Sequence, residues 1–392
     1  MEKLVRSGYF TLLARGRQAM SLSRVWRSFE QRFSRWCPRA MLAMALLGTA
    51  GVLGPGPLAA QQDPAEKPEK KAARSDGDEL PAPEDVTLTT GDGLGLAMTY
   101  FAGTHGKDSI PVILLHAFKG SRKDFVKEGG LAPYLQEKLG CAVVVPDLRG
   151  HGESTSFSSA GKSGKEPEPL SAGKLQPRQF QLMISQDLQA VKEFLWQKNN
   201  AEQLNLDKLC VVGVGMGASV ALDLALYDSL GYEQRTPAYG PLKLGRFLKA
   251  LVLISPEWSF RGLNTRLALA SPDVQKNISV MILVGKRSKD SEGNVDREAV
   301  KAIDDARRFH EFFAKFHPEP EVDKDKEKQT DKRELMTLWY GRLDTTLQGT
   351  KLLDAPLKTP PPQLIFQFLY FRMVKNAEIK KVPWKERKLP HQ

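Results

Sequence analysis

Three short segments of the chain hold the residue types best suited to chemistry. The first is Leu114-Leu115-His116-Ala117-Phe118-Lys119-Gly120-Ser121, with a histidine just beyond an apolar run. The second is Asp147-Leu148-Arg149-Gly150-His151-Gly152-Glu153-Ser154. The third, Val212-Gly213-Val214-Gly215-Met216-Gly217-Ala218, sets a glycine at every second position. Acyl transfer needs a nucleophile, a base beside it and a carboxylate to orient the base. The third segment offers no nucleophile. Gly215 has no side chain, Ser219 falls a turn into the following helix, and Cys210 lies inside the preceding strand. Phosphate-loop, HExxH and CxxC patterns do not occur, and three cysteines and six histidines leave little for a multi-metal site. No cofactor and no metal site are expected.

The elements that must position these segments are short apolar runs bounded by turn residues. They read as strands at Val86–Thr90, Leu96–Phe101, Pro111–His116, Ala142–Pro146, Leu209–Val214, Ala250–Ser255, Ser279–Gly285 and Leu335–Tyr340. Most are continuous Val/Ile/Leu stretches, the pattern of strands buried on both faces. Ile184, Leu188, Val191 and Leu195 form a helical stripe. Further helices are expected over Ala218–Tyr227, Val300–Phe313 and Gln363–Lys375. Strand alternating with helix predicts crossover connections and a parallel sheet. The first two strands, joined around Gly91-Asp92-Gly93, predict an antiparallel hairpin at one edge. Thr155–Pro177 reads as a surface insertion and Pro318–Arg333 as a mixed-charge loop.

With the three motifs in order along this βα rhythm, the chain resembles the α/β-hydrolase superfamily of serine hydrolases and esterases. The resemblance implies a mostly parallel eight-stranded sheet flanked by helices, and an ancestral activity on ester or related acyl bonds. It places the nucleophile elbow, G-x-S-x-G, at Gly213–Gly217, with Gly215 at the nucleophile position. The family's histidine follows the last strand, where Gly341–Gly349 has none and Asp344 stands in its place. The acid position falls on Asp290, after the seventh strand, or on Glu257, after the sixth. Without a histidine to orient, either carboxylate is expected to be a surface charge. By motif position the oxyanion-hole amides are those of Phe118 and Met216. His116 and His151 are expected to pack within their motifs, and the family pattern gives His310, His317 and His391 no catalytic role. Trp258, Phe260, Trp339 and Tyr340 are expected to pack. The short Glu257–Asn277 segment leaves no room for a large lid domain and should leave any pocket open.

The formal charge of +11 in 392 residues first suggests a nucleic-acid binder. Residues 1–60, however, hold nine Lys/Arg against Glu2 and Glu30, and so carry most of the excess. No nucleic-acid partner is expected. Basic residues, the apolar run 40–53, Gly54-Pro55-Gly56-Pro57 and the small-residue ending Leu58-Ala59-Ala60 follow the order of a secretory signal. The alternative is an N-terminal membrane anchor, the one membrane contact expected. Residues 61–85 read as a flexible polar linker, 86–376 as one domain and 377–392 as a basic tail. Exported, periplasmic or envelope-associated localisation follows. Cys141 and Cys210, two strand spacings apart, are expected to be buried free thiols. The expected role is binding or interaction by a catalytically degenerate hydrolase fold. Two alternatives remain open: an active acyl-bond hydrolase with a non-standard centre, and a structural envelope protein.

Overall fold

The computed structural model describes residues 79–157, 168–231, 233–236, 240–243, 245–289, 292–320 and 331–387. The expected signal segment and most of the linker lie outside these residues. Eight strands form one sheet: β1 Glu84–Thr89, β2 Gly95–Phe101, β3 Pro111–Leu115, β4 Ala142–Pro146, β5 Leu209–Val214, β6 Leu248–Ile254, β7 Ser279–Gly285 and β8 Leu338–Leu343. Their spatial order is β1-β2-β4-β3-β5-β6-β7-β8. The β1–β2 and β2–β4 pairs are antiparallel and every other pair is parallel.

Every residue of β3, β4, β5 and β7 is buried. Side chains along a strand point alternately to its two faces. Val211, Leu253 and Ile282 therefore join one core, against the helices α2 (Leu188–Asn200), α3 (Met216–Ser229) and α4 (Arg297–Phe313). Val212, Ile254 and Leu283 join the other, against α1 (Leu131–Leu139) and α5 (Pro361–Leu369). Both layers need apolar residues on both faces, which is why these strands read as continuous apolar runs. Cys141 and Cys210 are free and buried.

Three elements differ from the sequence reading. The last strand is Leu338–Leu343, not Leu335–Tyr340, because Leu335 ends a short helix, Lys332–Leu335. The closing helix keeps α geometry over Pro361–Leu369 and widens to a π turn over Tyr370–Lys375. A hairpin of Glu233–Thr236 with Gly240–Lys243, between α3 and β6, has no counterpart in the sequence reading.

Within the expected basic tail, the residues up to Arg387 dock on the body of the domain. Residues Val382–Arg387 form a strap over the C-terminus of α2. Side-chain amides of Asn205, Asn199 and Asn200 donate to the carbonyls of Val382, Lys385 and Arg387. The Trp196 indole also donates to the Arg387 carbonyl, and the Trp384 indole donates to that of Asn199. The Arg387 guanidinium pairs with Asp207. The strap is held mainly through its backbone, so its side-chain pattern gives little sign of docking. No described helix is long and apolar enough to cross a membrane.

Candidate active site

At the turn from β5 into α3, Gly215 has φ 53° and ψ −114°, a conformation that strains any residue bearing a Cβ. Its amide donates to the Ile254 carbonyl at 3.0 Å, tying the turn to the neighbouring strand. The flanking glycines answer to packing. A Cβ on Gly213 would lie 2.3 Å from the Gly217 carbonyl oxygen, and one on Gly217 would lie 2.3 Å from that of Leu115. A Cβ on Gly215 would meet nothing nearer than Ala117 Cβ at 3.6 Å and Glu257 Oε1 at 3.7 Å. The turn thus keeps space for a side chain that the sequence does not supply. Met216 opens α3, where the first amides of a helix lack intrahelical acceptors.

The loops after β3 and β4 are fastened to one another. The Leu148 amide donates to His116 Nε2 at 3.0 Å, and His116 Nδ1 lies 2.8 Å from the Ala117 carbonyl. Nδ1 therefore carries the proton. Burial pushes the ring down to about 4, so it is neutral and occupied at both nitrogens. His151 lies 4.9 Å away, centroid to centroid, with Nδ1 3.0 Å from the Arg149 carbonyl. Burial lowers it as well. Asp147 accepts from the amides of Arg122 and Glu153 and pairs with the Arg122 guanidinium. Arg149, fully buried, is held by Asp187 and Asp92. Both histidines pack within the motifs, as expected.

The remaining triad positions are built differently. Asp344, just past β8, is exposed and lies 2.6 Å from Arg287 and 3.3 Å from Lys286. The hydrogen bond from Arg287, with help from Lys286, holds its carboxyl down at about 2. In the same loop Gln348 does the fastening. Its Oε1 accepts from Ser255 Oγ and the Gly285 amide, and its Nε2 donates to the Gly285 carbonyl. Asp290 lies outside the described residues. His310 stacks on Tyr340 at 4.3 Å, and His317 bonds Thr337 Oγ1, neither at the elbow.

Glu257 corrects the sequence reading. It is not a bare surface charge: its half-buried carboxylate borders the empty volume beside Gly215. Lys301 on α4 is 3.4 Å from Glu257 Oε2, and Ser219 Oγ donates to the Glu257 carbonyl. Burial raises the Glu257 carboxyl, with Lys301 opposing. Aromatic rings from three segments cluster in the loops beyond the strand ends. Phe118 from the β3 loop lies 5.6 Å from Phe260 of the β6 loop, and Phe180 packs on Phe260 at 5.2 Å. Phe118 and Phe260 thus join loops from the two strands that flank β5. Trp258 and Trp339 pack on Phe309 and Phe368, as expected. Lys301 and Gln348 escaped the sequence reading. No pattern marked them, because each acts through a partner on a distant element. Among the described residues no group of His, Cys, Asp and Glu is arranged to hold a metal.

The sheet order, the strained turn from β5 and the helices on both faces define an α/β-hydrolase fold. Residues 110–260 match the family model described as alpha/beta hydrolase fold. Over that segment the chain is similar to that superfamily. Similar solved structures include the esterase Pf2001 of Pyrococcus furiosus, at 18% identity and TM-score 0.43, covering 77% of this chain and 99% of that one. An esterase of Pyrobaculum calidifontis matches at 13% identity and TM-score 0.42, covering 76% of this chain and 87% of its own. A fungal esterase from Rhizomucor miehei matches at 14% and 0.41, covering 78% and 85%. No curated protein sequence matches the chain. The sequence similarity is confined to the motif-bearing segment.

Proposed function

We propose that this is a catalytically degenerate hydrolase-fold protein, exported from the cytoplasm, whose elbow region binds a ligand or partner instead of turning over an ester. The observation that carries this reading is the glycine at the nucleophile turn. Gly215 adopts the strained geometry and has room for a Cβ, yet supplies no attacking atom. Asp344 at the histidine position, clamped by two cations, supports it: a carboxylate held at about 2 accepts no proton near neutrality. The amides of Phe118 and Met216 are independent of side-chain identity and would still receive a carbonyl or anion. Export rests on the charge and apolar pattern of residues 1–60.

Treatment with a fluorophosphonate probe and a panel of nitrophenyl esters tests the reading. Neither labelling nor turnover is expected. Gly215→Ser alone should not restore activity, since no histidine would take the serine proton. Stoichiometric labelling of any residue overturns it. N-terminal sequencing of the exported form tests the compartment, with a mature start at or near Gln61 expected.

Glu257 favours a second reading, hydrolysis by a carboxylate-activated water beside the elbow. Its raised carboxyl and its place 3.7 Å from the vacant Cβ position suit a general base. Ester turnover rising with pH and abolished by Glu257→Gln would establish this reading against the first.

A further inference from the structure

Four arginines are buried among the described residues, and three of them have carboxylate partners. Arg122 pairs with Asp147 and Glu153, Arg149 with Asp187 and Asp92, and Arg387 with Asp207. Arg372, 7% exposed on the π turn after α5, pairs with no described carboxylate. A buried guanidinium without a counter-charge is costly, because neutral partners make up only part of its lost hydration.

The two bonds that fix Arg372 go to neutral groups. Nε donates to Ser279 Oγ at 3.0 Å, and Nη1 donates to the Glu334 carbonyl. Ser279 opens β7 and Glu334 lies just before β8, so the group sits at the end of the sheet opposite the elbow. Nη2 donates to no described group, yet it is not sealed from solvent. Ser279 Oγ accepts from Nε and donates to no described group, which leaves its hydroxyl proton for a further acceptor. Nearby side chains do not answer the charge. Glu378 acts on Arg372 only from a distance, and Asp331 is taken by Arg333. His317, bonded to Thr337 Oγ1 at 2.8 Å, is lowered by burial and further by the Arg372 charge, so it is neutral. Burial lowers Arg372 itself. Burial opposes the proton on Arg122 and Arg149 too, but there the carboxylates prevail and both are raised.

We propose that Arg372 and Ser279 form a binding site for a small oxyanion, a phosphate or carboxylate group, with Arg372 Nη2 and the Ser279 hydroxyl as its donors. Such an anion supplies at Arg372 the countercharge that the other three buried arginines find within the chain. A guanidinium already held at two nitrogens is positioned for it in advance. The site is separate from the elbow and does not depend on what binds there.

Titration calorimetry of the full chain with inorganic phosphate, acetate and chloride tests this. Phosphate or acetate should bind about tenfold or more tighter than chloride, and the tighter of the two identifies the source of the oxyanion. The same ion should raise the melting temperature of the wild type. Arg372→Met should weaken binding about tenfold or more and remove that rise. Ser279→Ala keeps the charge and serves as the test should Arg372→Met not fold. It should weaken binding about fivefold, the worth of one hydrogen bond. Arg287→Met, among the exposed charges at the other end of the sheet, should leave binding unchanged. Failure of both oxyanions to bind, chloride binding as tightly, or full affinity in either Arg372→Met or Ser279→Ala would each overturn the proposal.

Discussion

The loops after β3 and β4 and the loops after β7 and β8 sit at the same end of one sheet but are built in contrasting ways. On the β3–β4 side, His116, Asp147, Arg149 and His151 are buried: His116 and Asp147 accept from backbone amides of the partner loop, Arg149 is held by Asp187 and Asp92, and His151 lies against the Arg149 carbonyl. On the β7–β8 side, Lys286, Arg287 and Asp344 pair with each other in solvent. The first set closes the fold and the second only decorates it. Residues with a packing role are present here. At the turn after β5 the chain has a glycine, and after β8 a solvated aspartate.

That contrast can be broken by mutation, and the elbow frame should give the largest effect. Gly217→Ala would drive a Cβ to 2.3 Å from the Leu115 carbonyl oxygen, a backbone atom that cannot swing away. The expected cost is about 4 kcal/mol or outright loss of folding, read by denaturant titration. Arg149→Met comes next. It strands the fully buried Asp187 without its cation, and breaking such a pair costs about 3–5 kcal/mol. Wild-type stability in this variant would remove Arg149 from the packing side of the contrast.

The third test uses pH. His116 titrates near 4 in the folded chain against 6.5 in the unfolded one. The unfolded chain therefore binds more protons between these values, so stability rises with pH across that window and is lost as pH falls from 6.5 toward 4. The loss should total about 3 kcal/mol and flatten in His116→Gln, measured against wild type at each pH. Gly215→Ser is smaller, about 1–2 kcal/mol, because the backbone is strained but the space is open. Asp344→Asn should change stability by nothing measurable, since its two ion pairs are solvated. If Asp344→Asn proved as damaging as Arg149→Met, the two sides would not differ as described.

Much of this was legible in the sequence because burial on both faces leaves an unmistakable mark. β4, β5 and β7 have the predicted boundaries, each a run of small branched residues with no polar break. β8 is an edge strand of half-buried residues, and Leu335 and Met336 extended its apolar run in the sequence although Leu335 is exposed in a helix. The Glu233–Thr236 hairpin is too polar to read as strand. Near the elbow, the strained turn at Gly215 was legible from the glycine pattern. The position of Glu257 beside Gly215 was not, since it depends on β6 lying next to β5. Gln348 fastens three groups with one amide, a role its residue type does not announce. The strap is silent for a similar reason: its partners grip carbonyls, which every residue carries.

The spacing of Gly213 and Gly217 has a consequence for heredity. Each is pinned by a backbone oxygen 2.3 Å from where its Cβ would stand, and neither contact involves a reacting group. A lineage that needed only a folded protein would still be forced to keep both, while the residue between them was free to drift. Folding alone holds the two flanking positions to glycine, whatever stands between them.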